Sequence, residues 1–243
     1  MRRAAIAAQT HIELLLTLRR SESLVVTFGI PLGILVFFAK VDAVTDLADP
    51  IQFLVPGVLA LAVMSTAMVS LGIATGYERH YGVLKRLGTT PLSRTGLIAA
   101  KTTNVLLIEV VQAVVIVVTG VALGWSTSAR IIPAVILLLI GTVAFAGIGM
   151  LMAGTLRAEA NLALANALFL VLLFLGGMAY PLERLPSALQ TIAEALPAAA
   201  LAESVRDVLT PGLGFPLGHV LVLVAWAIAA PLLAVRFFSW EEA

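Results

Sequence analysis

The side chains best placed for chemistry lie in one polar segment, residues 77–91, which separates two long apolar stretches. Charged groups are costly in hydrocarbon, so this segment must lie at a membrane face. Its apolar residues Val83, Leu84 and Leu87 have helical spacing between Gly82 and Gly88. Charged side chains surround them, namely Glu78, Arg79, Lys85 and Arg86. An apolar ridge with a charged rim suits a groove on a soluble partner, so the segment is predicted to dock one.

A simpler interpretation is that this basic loop only obeys membrane topology and anchors to lipid. That interpretation explains the charges. It leaves the paired glycines, the apolar ridge and the helix-stopping Pro91 unexplained. The sequence therefore favours docking.

Motifs for catalysis are missing from the sequence. It contains no G-x-x-x-x-G-K-[ST] phosphate loop for a nucleotide, and no H-E-x-x-H or G-x-S-x-G motif. The histidines His11, His80 and His219 are scattered, and cysteine is absent, which excludes thiol chemistry and disulfides. We expect no catalytic residue, no metal site and no cofactor in this chain.

One ionisable residue, Glu109, falls well inside a predicted membrane span, where a charge usually faces a partner or a cavity. Gln112 follows it on the same helical face. Glu109 would lie about 10 Å from the cytoplasmic end of its span at 1.5 Å per residue. It could bind a cationic cargo, relay protons, or cap neighbouring helices by pairing with Arg157 or Asn161.

Four further residues are candidates to line a substrate path, because thioethers and aromatic rings adapt to varied shapes. They are Met64, Met68, Phe169 and Phe174. Packing in the core or against lipid is the alternative for each. Small residues in the fourth span are predicted to allow close helix approach. They are Gly141, Gly147, Gly149 and Gly154.

The composition is that of an integral membrane protein. Hydrophobic residues make up 60% of the 243 residues and charged residues 12%, against about 25% charged in soluble domains. A net charge of +1 offers no basic face for nucleic acid. A membrane helix needs about 20 mostly apolar residues. Six segments are predicted to span: Leu24–Ala39, Ile51–Thr75, Thr102–Trp125, Ile131–Leu156, Asn161–Tyr180 and Leu217–Phe238.

Positive charge indicates the orientation, because loops retained in the cytoplasm are enriched in Lys and Arg. Eleven of the 15 basic residues fall on one side of the predicted spans: Arg2, Arg3, Arg19, Arg20, Arg79, Lys85, Arg86, Arg94, Lys101, Arg157 and Arg236. The others are Lys40, Arg130, Arg184 and Arg206. Both termini are therefore predicted to be cytoplasmic.

Residues 2–20 precede the first span and have a polar arc at helical periodicity. The arc contains Arg2, Arg3, Gln9, Thr10, Glu13, Thr17 and Arg20, and most of the leucines lie outside it. This pattern predicts an interfacial helix whose arginines meet anionic headgroups. The alternative is an ordinary cytoplasmic helix packed on the next domain.

The connection between spans five and six, residues 181–210, is divided by glycines and prolines into two short amphipathic helices. Neither reaches spanning length, so both are predicted to be outer re-entrant helices that dip into the headgroup layer or the protein. They are candidate lids on an exit path. No internal repeat or domain-sized loop is found, so residues 1–243 are predicted to form one domain.

Two motifs carry a family resemblance. The first, Glu78-Arg79-x-x-Gly82-x-Leu84-x-x-Leu87-x-x-x-Pro91-Leu92, resembles the coupling-helix region of ABC-2 type permeases, the membrane subunits of ATP-binding-cassette exporters. The second runs from Gly176 to Pro186, continues through Leu189-Gln190, Pro197 and Arg206, and resembles the same family between spans five and six. We call residues 77–91 the coupling segment.

The resemblance implies an all-α integral membrane fold and one ABC-2 type transmembrane domain over residues 1–243. Its six transmembrane helices would be joined by the interfacial helix, a cytoplasmic coupling helix and two short outer helices. ATPase coupling falls on Glu78, Arg79, Tyr81, Gly82, Leu84, Leu87 and Pro91. The short first outer loop resembles the compact drug-resistance branch.

The implied function is export of a hydrophobic or amphiphilic substrate, such as a drug, an antibiotic or a lipid, from a bacterial-type inner membrane. Two separate ATPase subunits would carry ATP and Mg, so this chain is not itself expected to be an enzyme. The assembled complex would hydrolyse ATP. A second permease subunit, identical or a sibling, and membrane lipid would be the other partners, whereas nucleic acid would not.

Two other functions compete with export. A proton-coupled secondary transporter would use Glu109 as its relay and is expected to contain inverted repeats, which the sequence does not show. A membrane scaffold would carry no substrate flux.

Overall fold

The computed structural model describes residues 11–15, 21–40, 49–89, 93–127, 130–210 and 212–240. These residues contain helices and no strand. Residues 11–15 are helical, and the longer elements follow in chain order. They are α1 Ser21–Lys40, α2 Pro50–His80, α3 Val83–Gly88, α4 Arg94–Ala122, α5 Ile131–Thr155, α6 Ala158–Leu175, α7 Ser187–Glu194, α8 Pro197–Leu209 and α9 Leu217–Phe237.

Five of these helices are long and apolar enough to cross a membrane, namely α2, α4, α5, α6 and α9. They confirm the prediction of a helical membrane protein and coincide with predicted spans two to six. The apolar part of α1, Thr27–Lys40, is shorter. The predicted interfacial helix, residues 2–20, lies outside the described residues except for 11–15.

Two helices have ends that differ from those of the predicted spans, because hydropathy marks the depth of lipid and not the end of a helix. Helix α4 begins at Arg94 and not at Thr102, since the Ser93 hydroxyl accepts a hydrogen bond from the Gly96 amide at 3.1 Å and caps it. Helix α6 ends at Leu175, before two glycines, of which Gly177 has a φ of 63°.

Helix α2 lies at the centre of the bundle. In the most apolar stretch of α2, 83% of the residues are buried, whereas in that of α9 only 17% are buried. Close contact with α5 is possible because small residues meet there: a Cβ added at Gly149 would lie 2.7 Å from the Met68 carbonyl oxygen. A Cβ at Gly147 would similarly lie 2.5 Å from the backbone nitrogen of Pro231 in α9. The predicted role of these glycines in helix approach is confirmed.

Helices α2 and α5 end at one end of the bundle, where α4 and α6 begin. We call it the coupling end, because it carries the coupling segment, and we call the opposite end the far end. Segment 181–210 lies at the far end. Its helix α8 packs against α2, α5 and α9, and its alanines from Ala198 to Ala202 are buried. Helix α7 is more exposed, with Ile192 54% exposed.

Candidate functional site

The coupling segment forms an elbow at the end of the central helix. Residues Tyr77 to His80 are the last turn of α2, and Tyr81 and Gly82 make the turn into α3. Gly82 has a φ of 71°, and among the described residues other than its chain neighbours no atom lies within 4 Å of where its Cβ would be. Glycine is needed here for its left-handed backbone and not for space. The predicted helix-stopping residue Pro91 lies outside the described residues.

Arg79 faces the bundle. Its guanidinium donates to the carbonyl oxygen of Ala153 at 2.7 Å and to that of Leu156 at 2.9 Å. These carbonyls belong to the end of α5, where the helix dipole favours a cation. Only 5% of Arg79 is exposed. Arg79 therefore fixes the end of α2 to the end of α5.

Glu78 joins a buried charge cluster. Its carboxylate lies 2.8 Å from the ammonium nitrogen of Lys101 in α4. The same nitrogen lies 2.7 Å from the carboxylate of Glu13. The Lys101 side chain is 1% exposed, so this cluster ties the elbow and residues 11–15 to α4. Sequence reasoning used Lys101 only as a topology charge, although its place beside an apolar stretch was a signal of burial.

The two faces of the elbow differ in solvent exposure. Leu84 is fully buried and Leu87 packs on the core, whereas Tyr81 is 72% exposed and Val83 44% exposed. Lys85 and Arg86 are exposed beside them. The predicted ridge of Val83, Leu84 and Leu87 for a partner's groove was wrong in this respect, because the Gly82 turn folds α3 so that Leu84 faces its own chain.

Glu109 and Gln112 are buried in the bundle, but they have separate partners. The Thr142 hydroxyl of α5 donates to Glu109 Oε2. Gln112 accepts from the Thr66 hydroxyl at 3.0 Å and donates to the Thr27 carbonyl oxygen at 2.9 Å, and so joins α1, α2 and α4. Thr66 lies in a π-helical turn of α2, Ser65–Ser70.

The predicted pairing of Glu109 with Arg157 or Asn161 was wrong. Because α4 begins at Arg94, Glu109 lies near the middle of its helix and meets the middle of α5. Asn161 instead donates to the Gly72 carbonyl oxygen at 2.8 Å.

None of the four candidate path residues lines either of the two cavities described below. Met64 and Met68 are fully buried in the core around α2. Phe169 packs partly on that core, and Phe174 is 67% exposed on α6.

Two adjoining cavities form one apolar groove along the seam between α4 and α5, which we call the seam groove. The first cavity has a volume of about 330 Å³ and contains Glu109 and Thr142. The second, of about 390 Å³, ends near Trp125 and Thr127 toward the far end. Sequence reasoning missed the seam groove. A signal was present in the helical spacing of Val110, Val114, Val118 and Val121, which line its α4 side.

Segment 181–210 is held at the far end by Arg206. Its guanidinium donates to Glu203 and to the Gly177 carbonyl oxygen, and lies 3.8 Å from the ring centre of Phe53. Beside it, burial raises the pKa of the Asp207 carboxyl, and the charges of His219 and Arg206 oppose that rise.

The family model described as ABC-2 type transporter matches residues 5–210. The matched range includes both the coupling segment and segment 181–210. No curated protein matches the sequence.

Proposed function

Because this chain belongs to the ABC-2 type transporter family, we propose that it is the permease of an exporter that moves a hydrophobic or amphiphilic substrate outward. We assign it to the compact drug-resistance branch and to a bacterial-type inner membrane, with α1 as a sixth span and both termini cytoplasmic. Two ATPase subunits and a second permease complete the proposed assembly. ATP and Mg belong to the ATPases, so this chain supplies no catalytic group.

The observation that carries the proposal is the two-sided elbow at the coupling end. Its outer side presents Tyr81 and Val83 with the basic residues Lys85 and Arg86 beside them. A partner with an apolar groove and an acidic rim complements that surface. Large aromatic residues at such surfaces are frequent binding hot spots.

The inner side of the elbow supports transmission of a movement from the ATPase. Leu84 packs into the bundle, Arg79 holds the end of α5, and Glu78 reaches α4 through Lys101. Close-packed side chains and buried polar contacts hold neighbouring helices in fixed positions relative to each other. A displacement of the elbow would therefore move α2, α4 and α5 together.

A matched tyrosine pair tests this proposal. Tyr81→Ala removes the exposed ring at the coupling end, and Tyr180→Ala removes one that is 43% exposed beyond α6. We expect Tyr81→Ala to weaken the complex with the cognate Walker-motif ATPase about tenfold or more, because that ring is a proposed hot spot. Tyr180→Ala is expected to leave the complex unchanged. Affinity is measured on purified subunits, and ATP-dependent export in reconstituted vesicles.

Equal ATPase affinity in the two variants would contradict the assigned docking surface. Substrate transport by the lone subunit in a pH gradient would instead favour the secondary-transporter alternative. A complex with the ATPase that shows no flux would favour the scaffold.

A further inference from the structure

We propose that the seam groove is a binding site for hydrophobic amines that enter from the bilayer, with the ammonium group at Glu109 and the apolar body between α4 and α5. The use of this site for cargo rests on the proposed function. Binding itself does not, because the site lies within one chain and needs no ATPase.

The polar end of the site is the Glu109 carboxylate, and one of its two oxygens is available as a hydrogen-bond acceptor. Glu109 Oε2 accepts from the Thr142 hydroxyl, while Oε1 has no hydrogen-bond partner among the described residues. Glu109 is 8% exposed and lies near the middle of α4, far from water at either end. An ammonium N–H donated to Oε1 would satisfy that oxygen and neutralise the carboxylate inside the membrane.

The rest of the cavity matches the apolar body of such a ligand. Its lining is apolar apart from Glu109 and Thr142, and its volume of about 330 Å³ is at the small end of the roughly 300–1,000 Å³ of ligand pockets. The adjoining cavity of about 390 Å³ extends it toward Trp125 and can take a longer alkyl tail. Leu59 of the central helix α2 lines both cavities.

Access is from the side of the bundle. Val110 and Val114 on α4 are 61% and 58% exposed, and Val135 and Leu139 on α5 are 46% and 43% exposed. These four residues line the groove from both helices. A ligand dissolved in the bilayer can therefore reach Glu109 without crossing water.

The negative charge of Glu109 favours an amine over other molecules that could fill the seam groove. A lipid acyl chain, or an apolar helix of a second permease, would fill the volume but bring no donor to Glu109. A neutral alcohol brings a donor but no positive charge, and hydrogen bonds to charged partners are roughly twice as strong as neutral ones. An anion would be repelled.

Photolabelling tests the proposal on the whole chain in phosphatidylcholine nanodiscs. The probe is dodecylamine with a diazirine in its alkyl chain, and the matched probe is the corresponding dodecanol. We expect the amine to label α4 residues 106–114 and α5 residues 135–142 and to outcompete the alcohol there. Glu109→Gln should reduce amine labelling about tenfold, since it removes a charge-assisted hydrogen bond. Glu159→Gln makes the same chemical change at an exposed position of α6 and should have no effect.

A second pair of variants keeps the test valid if Glu109→Gln fails to fold. Val114→Trp fills the seam groove and leaves Glu109 in place, whereas Val143→Trp adds the same bulk on α5 outside the groove lining. Only Val114→Trp should abolish amine labelling. Equal labelling by amine and alcohol, which is the result for a lipid-chain site, would overturn the proposal. So would labelling that survives both Glu109→Gln and Val114→Trp.

Discussion

The coupling segment and segment 181–210 lie at opposite ends of the bundle but have similar local structure. At each end a glycine of positive φ follows a long helix: Gly82, within the coupling segment, has a φ of 71°, and Gly177, shortly before segment 181–210, has a φ of 63°. Each is fixed by a buried arginine that donates to backbone carbonyl oxygens, Arg79 at the coupling end and Arg206 at the far end. After the turn the two differ, because α3 presents an exposed rim and α8 is buried almost entirely.

The residues of α3 and α8 account for this difference. In α8 the run Ala198-Ala199-Ala200-Leu201-Ala202 allows close packing against α2, α5 and α9. In α3 the sequence Val83-Leu84-Lys85-Arg86 provides one inward leucine between exposed neighbours. Helix α8 is thus a part of the core, whereas the elbow is a surface element attached to it. The proposed function requires an exposed element at the coupling end, because the ATPase is proposed to dock there.

The largest expected effect is at the buried charge cluster of the coupling end. Lys101→Met leaves Glu13 and Glu78 without their shared cation, and breaking a buried pair in this way costs about 3–5 kcal/mol of unfolding free energy. Adding Glu13→Gln and Glu78→Gln to Lys101→Met should restore most of it, because the two carboxylates that faced Lys101 are then neutral. Denaturation of the purified protein in detergent measures the change. No recovery in the triple variant would contradict a charge-based role.

A somewhat smaller effect is expected from the two arginines. Arg79→Ala removes two charge-assisted hydrogen bonds, which together contribute about 3 kcal/mol. Arg206→Ala should cost a similar amount, because it leaves Glu203 without its cation. Only Arg79→Ala should also lower ATPase-coupled export when expression is matched. Equal loss of export in both variants would remove the distinction between the two ends.

The smallest effect is expected from substituting one turn glycine at each end of the bundle. Gly82→Ala and Gly124→Ala each place a Cβ at a positive φ, clear of the other described residues, at a cost of about 1–2 kcal/mol in the turn. Gly124 lies at the far end after α4, and so only Gly82→Ala should reduce stimulation of ATPase activity by substrate. The ratio of stimulated to basal ATP hydrolysis is the measurement. A matching loss in Gly124→Ala would mean that the elbow has no special role.

The spanning helices were predictable from sequence, because length and hydropathy determine which segments cross a membrane. The close contacts of Gly147 and Gly149 followed from residue size alone. The direction of Leu84 did not, since it depends on which way the Gly82 turn folds α3. The partners of Lys101 and Glu109 lie on other helices, and periodicity along one helix carries no information about the helix packed against it.

Two locations were predicted for the outer helices, the headgroup layer and the protein, and α8 lies against the protein. Glu203 and Arg206 give the helix a polar face, which suggested the headgroup layer as one possible location. In the structure the two pair with each other, and Arg206 also packs on Phe53. A polar face that satisfies its own charges can be buried.

Cysteine accessibility tests the central claim most directly, because the chain has no native cysteine. Tyr81→Cys and Tyr180→Cys each introduce one thiol, at the coupling end and at the far end. In inside-out vesicles, a membrane-impermeant maleimide should label Tyr81→Cys and not Tyr180→Cys, and bound ATPase should protect Tyr81→Cys. Labelling of Tyr81→Cys only from the opposite side, or labelling that is unchanged by the ATPase, would contradict the account.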